Sequence, residues 1–167
     1  MLFRSSLFES DDIVTMTRQS WDAHIEPNLR APLRLTQLMA ENLGDRQGNV
    51  INLIDQRVLK LTPQFLSYTL SKSALWTLTQ TLAQALAPKI RVNAIAPGPT
   101  IKNQRQSDEH FEAQIAATPL GRGPSLDEFT STIAWILATP SLTGQMIALD
   151  GGQHLIWQTP DVMNIVE

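Results

Sequence analysis

Residues 49–54 read NVINLI, a short apolar run of the kind that forms a buried β-strand. A helix-like stretch follows from Phe65 to Leu86, and Pro63 suits the first turn of that helix. Residues 90–95, IRVNAI, then give a second apolar run rich in β-branched side chains. Strands that alternate with helices are typical of a parallel sheet, so the chain is predicted to be an α/β protein.

Upstream of this unit, residues 17–43 carry apolar side chains at spacings of three and four, which predicts one long helix. Pro27 and Pro32 interrupt the pattern, because proline lacks the N–H that a helix interior needs. We therefore expect a kink, or a late start of the helix, near Asn28.

Downstream, the pattern predicts a short helix at 108–117 and a further helix that ends at about Ala138. The second of these helices opens with a capping box, SLDE, at residues 125–128. Residues 144–149 form the last predicted strand. Three clear strands, with an uncertain fourth at the N-terminus, are few for a sheet of this class.

Composition excludes several classes of function. The chain has 167 residues, a net charge of −3 and no cysteine, which excludes disulfides, thiolate metal sites and cysteine nucleophiles. No basic cluster suits nucleic acid, and no apolar stretch is long enough to cross a membrane. The three histidines lack metal-ligand spacing, so no metal is expected. A cytoplasmic protein is the default expectation.

The sequence YTLSK at residues 68–72 places Tyr68 and Lys72 on one face of a helix. A nearby ammonium favours the ionised form of a phenol, so the pair can transfer a proton near neutral pH. The lysine can also hold a ribose hydroxyl. Taken alone the spacing is weak, since a solvent-facing pair of this kind occurs by chance in many helices.

Three further motifs give the pair a context: NLRAP at 28–32, RVNAIAPG at 91–98 and TGQMIALDGG at 143–152. In this order and spacing, the sequence resembles the short-chain dehydrogenase/reductase family. The resemblance implies a doubly wound Rossmann-type sheet with a nicotinamide cofactor at the carboxyl ends of the strands. Residues 1–167 would then be the C-terminal half of such a domain, about strands 4–7.

The resemblance also implies roles for individual residues. Tyr68 would be the general acid, Lys72 would bind the nicotinamide ribose, and Asn28 would hold a water molecule in the proton relay. The residues implied to lie close to the nicotinamide amide are Pro97, Gly98 and Thr100. The family's usual turn is longer than the one here, which makes Thr100 the least certain of these contacts.

Asp55 stands thirteen residues before Tyr68, where most members of the family carry a serine. A carboxylate would repel the developing oxyanion of a ketone but suits a C=N substrate whose nitrogen gains a proton. Here the sequence is similar to the pteridine reductase and dihydromonapterin reductase branch, which implies NADP, a pterin substrate and stacking of Phe8 on the pterin ring. The alternatives are that Asp55 caps a helix at Pro63 and that Phe8 packs in the core.

Two other functions stay open at this point. One is a reductase of the same family that acts on a ketone or a 3-oxoacyl group. The other is a catalytically silent fragment that serves only in oligomerisation. The resemblance implies a homo-oligomer formed through the helices at 18–43 and 63–87.

The glycine-rich loop that holds the dinucleotide pyrophosphate in this family does not occur in the sequence. We therefore expect residues 1–167 to be a partial domain that lacks the N-terminal β-α-β units. The alternatives are a truncated gene product, a misassigned start codon and a chain that relies on a partner. We expect this chain alone to bind NADPH with a Kd above roughly 10 μM. Titration of NADPH against tryptophan fluorescence measures that constant.

Overall fold

The structure is a computed structural model that describes residues 10–103, 106–161 and 163. Three parallel strands form its sheet: β1 (Gly48–Leu53), β2 (Ile90–Pro97) and β3 (Met146–Leu149). Their order is β1-β2-β3, and both pairs are parallel. The prediction of a parallel α/β sheet is confirmed, although β3 starts two residues later than the apolar pattern indicated. The uncertain strand at the N-terminus and Phe8 lie outside the described residues.

Five α-helices surround or extend from the sheet in the described part of the chain. They are α1 (Arg18–Ile25), α2 (Ala31–Asn42), α3 (Leu66–Leu86), α4 (Asp108–Ala116) and α5 (Leu126–Ala138). Short 3-10 turns follow β1 at Gln56–Val58 and β3 at Gln153–Leu155. The predicted capping box is present, because Ser125 and Glu128 bond each other's backbone N–H groups at the start of α5.

The predicted kink near Asn28 is a π-helical segment, Glu26–Arg30, that joins α1 to α2. Pro27 occupies its first turn, where the missing N–H removes a backbone bond and the wider π turn accommodates the ring. Asn28 lies in this segment and is buried. The kink therefore turns a polar side chain toward the interior.

Helix α3 begins at Leu66, so the prediction that Pro63 forms its first turn is wrong. Phe65 precedes the helix in the left-handed conformation, at φ 57° and ψ 47°. The first N–H groups are capped from a distant loop, since Leu66 N donates to Asp11 O and Ser67 N donates to Asp11 Oδ1. A cap supplied from another part of the chain leaves no local signal in the sequence.

The core holds α3 against the sheet. One cluster contains Leu43, Ala83, Ile90 and Val92 at the amino end of β2. A second cluster lies toward the carboxyl end of the sheet and consists of Ile54, Leu75, Ala94 and Ala96. Because small side chains on β2 let α3 approach closely, the first turns of α3 lie beside the residues that follow β1.

Candidate active site

Tyr68 and Lys72 lie one turn apart on α3 and both are buried, with exposed fractions of 6% and 9%. Lys72 Nζ donates to the carbonyl oxygen of Leu53, the last residue of β1, at 2.9 Å. The same nitrogen lies 5.8 Å from the centre of the Tyr68 ring. The predicted pair thus faces the carboxyl end of the sheet rather than solvent.

Asp55 joins this pair from the loop after β1. Its Oδ2 accepts a hydrogen bond from the Tyr68 hydroxyl at 2.8 Å. Its Oδ1 accepts from Arg57 N at 2.8 Å and so caps the 3-10 turn at Gln56–Val58. The alternative that Asp55 caps a helix at Pro63 is wrong, because α3 begins later and is capped by another residue. With both oxygens engaged, the carboxylate is held in one orientation against the phenol.

Burial lowers the pKa of the Lys72 ammonium from its ordinary 10.5 to about 8, because the charged form loses its hydration. The negative charge of Asp55 acts in the opposite direction and partly restores the charged form. Below pH 8 the site therefore holds a buried cation and a carboxylate on either side of one phenol. That arrangement suits proton transfer at near-neutral pH.

The lowered pKa of Lys72 predicts a change in stability that needs no substrate. Because the pKa of Lys72 is lowered on folding, the buried ammonium reduces the free energy of unfolding below pH 8, by roughly 3 kcal/mol for a shift of this size. This destabilisation disappears as the pH rises to 10.5. Lys72→Met should raise the free energy of unfolding at pH 7 by about 1–2 kcal/mol, since losing the bond to Leu53 O offsets part of the gain. Urea unfolding at a series of pH values measures this difference.

The sign of that pH dependence tests whether the pKa of Lys72 is lowered on folding. The advantage of Lys72→Met should be full below pH 8 and shrink between pH 8 and 10.5, where the wild-type ammonium loses its proton only in the folded state. Lys89→Met, at an exposed lysine, is the matched control and should show no such trend. An advantage that grows with pH would contradict the assigned shift.

Asn28 reaches α3 through its side-chain amide. Its Nδ2 donates to Ser71 Oγ at 3.0 Å, and Ser71 Oγ donates to the carbonyl oxygen of Tyr68 at 2.6 Å. This chain of bonds ties the π-helical segment to the backbone of the Tyr68 turn. The role of Asn28 in holding a relay water stays a prediction.

The turn after β2 lies at the same edge of the sheet as Asp55. Pro97 ends β2, and Gly98 N donates to Leu149 O at 2.8 Å. A Cβ atom on Gly98 would lie 2.6 Å from the Cα atom of Asp150, so only glycine fits this approach. Thr100 Oγ1 bonds Gly98 O at 3.1 Å and stiffens the turn. Contact of this turn with a nicotinamide stays a prediction.

Sequence reasoning missed a buried polar chain behind Tyr68. Asp11, His24 and Ser67 are almost fully buried, and they bond one another. Only the four-residue spacing of His24 and Asn28 could have hinted at this, since both lie on the helix face that meets α3. The partners themselves are 43 and 56 residues apart in sequence.

The described residues contain no group of three or more His, Asp or Glu side chains that could hold a metal ion. In the same part of the chain, no helix combines the length and apolar character needed to span a membrane.

The parallel sheet is that of a Rossmann-type fold, and Tyr68, Lys72 and Asp55 lie together at the carboxyl end of its strands. A family model described as enoyl-(acyl carrier protein) reductase matches residues 4–154. The chain belongs to the short-chain dehydrogenase/reductase family.

Similar proteins include 3-oxoacyl-[acyl-carrier-protein] reductase FabG of Thermotoga maritima, which is 32% identical over 146 residues, or 84% of this chain and 59% of the relative. Dihydromonapterin reductase of Citrobacter koseri is 30% identical over 112 residues, or 67% of this chain and 47% of the relative. The chain therefore spans about half the length of the curated relatives that it matches.

Among solved structures, FolM alternative dihydrofolate reductase 1 from Brucella suis, in complex with NADP, is 55% identical to this chain. The superposition has a TM-score of 0.92 and covers 94% of this chain and 64% of that one. The corresponding protein from Brucella canis, also complexed with NADP, gives a TM-score of 0.91.

Proposed function

We propose that this chain supplies the proton-transfer site of an NADP-dependent reductase that reduces a C=N bond in a pterin-type ring. The observation that carries the proposal is the 2.8 Å bond from the Tyr68 hydroxyl to Asp55, with the Lys72 ammonium buried one turn further along α3. The similar proteins named for dihydrofolate and dihydromonapterin reduction support the same substrate class.

The charge of the site favours a substrate with N–H groups. A ketone accumulates negative charge on oxygen during reduction, and the Asp55 carboxylate would oppose it. A C=N bond instead gains a proton on nitrogen, and an adjacent carboxylate stabilises N–H groups by accepting their hydrogen bonds. A pterin ring carries several such groups on one flat edge.

The residues present fit a nicotinamide cofactor. Within the described residues, Lys72 Nζ bonds Leu53 O, and two of its three N–H groups stay available for ribose hydroxyls. Pro97 and Gly98 present backbone at the same edge of the sheet, where such folds bind dinucleotides. When bound, NADPH would supply the hydride.

The chain's own residues would carry out the proton transfer of the reaction. Asp55 orients the phenol and accepts hydrogen bonds from the substrate ring. Tyr68 gives its hydroxyl proton to the ring nitrogen while the adjacent carbon is reduced. Lys72 holds the ribose and stabilises the phenolate that remains. The phenol then regains a proton from solvent.

A second candidate function is reduction of a 3-oxoacyl group. The 32% identity to the Thermotoga FabG reductase over most of the chain favours it. Asp55 argues against it for the electrostatic reason given above. Deciding between the two requires substrates of both kinds.

The test compares a dihydropterin with a 3-oxoacyl thioester as substrates of the full-length native protein, since this chain alone is expected to bind NADPH weakly, and follows the loss of NADPH absorbance. We expect kcat/KM to be higher for the dihydropterin. Faster turnover of the thioester would reject the pterin assignment in favour of the second candidate. No turnover of either substrate would reject the reductase proposal and favour a role in oligomerisation alone.

We also propose that copies of this chain associate through the helices at 18–43 and 63–87, in the cytoplasm. Apolar side chains that remain exposed on α2 and α3 support this proposal. They are Leu35, Leu38 and Leu70, with exposed fractions of 49%, 38% and 43%. Light scattering of the native protein measures the number of copies.

A further inference from the structure

We propose that Asp11, Ser67 and His24 form a positioning network that holds Tyr68 in its proton-donating orientation. The inference rests on the proposed function, because it concerns how the same phenol is kept ready. None of the three residues touches the reacting atoms, so they act through Tyr68 and are positioning residues.

The network is a continuous buried chain of hydrogen bonds. Asp11 Oδ1 accepts from Ser67 N at 3.1 Å, and Asp11 Oδ2 accepts from the Ser67 hydroxyl. Ser67 Oγ also lies 2.7 Å from His24 Nδ1. The exposed fractions are 4% for Asp11 and 0% for Ser67 and His24. Water therefore does not replace any of these bonds.

The number of available protons determines which atom donates in each hydrogen bond of the network. The Ser67 hydroxyl has one proton, and it is donated to Asp11 Oδ2. Ser67 Oγ must then accept the bond that joins it to the imidazole, so His24 Nδ1 carries the hydrogen. The carboxylate thus orders first the serine and then the histidine ring.

The Asp11–Ser67–His24 network acts on Tyr68 through the backbone. Phe65, the N-cap of α3, makes no side-chain capping bond, so Asp11 replaces a local cap through Leu66 N and Ser67 N. Its negative charge also lies at the positive end of the helix dipole, which offsets the cost of burying it. Tyr68 follows directly, so its Cα position depends on this distant cap.

The network also acts on the ring. The His24 imidazole meets the Tyr68 ring edge to face, with centres 5.8 Å apart and planes at 77°. The ring is thus confined by His24, while its hydroxyl reaches Asp55 at 2.8 Å. Loosening either the cap or the imidazole would let the phenol leave the position from which it gives its proton.

The first experiment uses Ser67→Ala, which removes the hydroxyl link but keeps the backbone bond to Asp11. We expect kcat for dihydropterin reduction to fall by about 10- to 100-fold, with both KM values changed less than about threefold, because misplacing a reacting group affects mainly the chemical step. Ser67→Thr keeps the hydroxyl and should restore most of kcat.

Thr79→Val is the matched control, because Thr79 is another fully buried hydroxyl on α3 that bonds both a side chain and the helix backbone. It should cost comparable stability and leave kcat unchanged. If Ser67→Ala and Thr79→Val lose similar stability and both keep wild-type kcat, the network only supports the fold and the proposal is overturned.

A second readout separates this proposal from the proposed function. Tyr68 is the only tyrosine in the sequence, so selective ¹³C labelling of tyrosine gives NMR ring signals from this side chain alone. We expect Ser67→Ala, and His24→Phe as a second variant, to shift and broaden these signals, while Thr79→Val leaves them in place. Unchanged ring signals in both network variants would overturn the proposal. If the wild type reduces no dihydropterin but the signals respond as expected, the positioning stands and the proposed function fails.

Discussion

Tyr68→Phe is expected to lower kcat for dihydropterin reduction by about 10²- to 10⁴-fold, the range over which a positioned general acid contributes. The change removes the hydroxyl that donates to Asp55 Oδ2 at 2.8 Å, and it leaves the buried ring in place. KM for NADPH should change little, since Lys72 is retained. The rate of NADPH loss with the native protein measures both constants.

Thr79→Val serves as the control here too, because it removes one buried hydroxyl from the same helix at a distance from the site. It should keep the wild-type kcat. If Tyr68→Phe also kept kcat within about threefold of wild type, another group would be the proton donor and the site would have to be assigned again.

Asp55→Ser is the second change with a large expected effect, because it places the family's usual residue beside Tyr68. Removing the carboxylate takes away the acceptor for the N–H groups of a pterin, and we expect kcat/KM for the dihydropterin to fall about 10²-fold or more. The serine hydroxyl can donate to a carbonyl oxygen, so the ratio of ketone to dihydropterin turnover should rise. Parallel assays with the two substrates measure that ratio.

Asp55→Asn is the matched variant, since its side-chain oxygen can still accept from Arg57 N and cap the 3-10 turn at Gln56–Val58. It separates the charge of Asp55 from its capping role. Loss of dihydropterin turnover in both variants assigns the effect to the charge. If Asp55→Asn kept full activity while Asp55→Ser lost it, Asp55 would serve only as a cap, and the electrostatic reason for a pterin substrate would fail.

The sequence predicted those parts of the molecule that local patterns encode. Apolar runs gave the strands, and the spacing of Tyr68 and Lys72 placed both side chains on one helix face. The prolines located the irregular segment around Asn28. Each of these depends on residues within about two helical turns of one another, so periodicity and backbone sterics suffice to find them.

The cap of α3 and the surroundings of Tyr68 could not be predicted in this way. Asp11 bonds Ser67 across 56 residues, and His24 bonds it across 43, so neither contact leaves a periodic signal. Pro63 suggested an early start for the helix because local rules do not include a cap from a distant loop. The proposed stacking role of Phe8 lies outside the described residues and stays a prediction.

The most direct test of the account follows the hydride into the product and asks whether its transfer requires Tyr68. The native protein is given a dihydropterin and NADPH that carries deuterium at the transferable C4 position of the nicotinamide, and the product is analysed by mass spectrometry. We predict a tetrahydropterin with one deuterium on carbon, formed by the wild type and essentially absent with Tyr68→Phe. A dihydropterin recovered from the wild type with no deuterium on carbon, or the same labelled product formed by Tyr68→Phe, would contradict the central claim that Asp55 and Tyr68 form a site for C=N reduction.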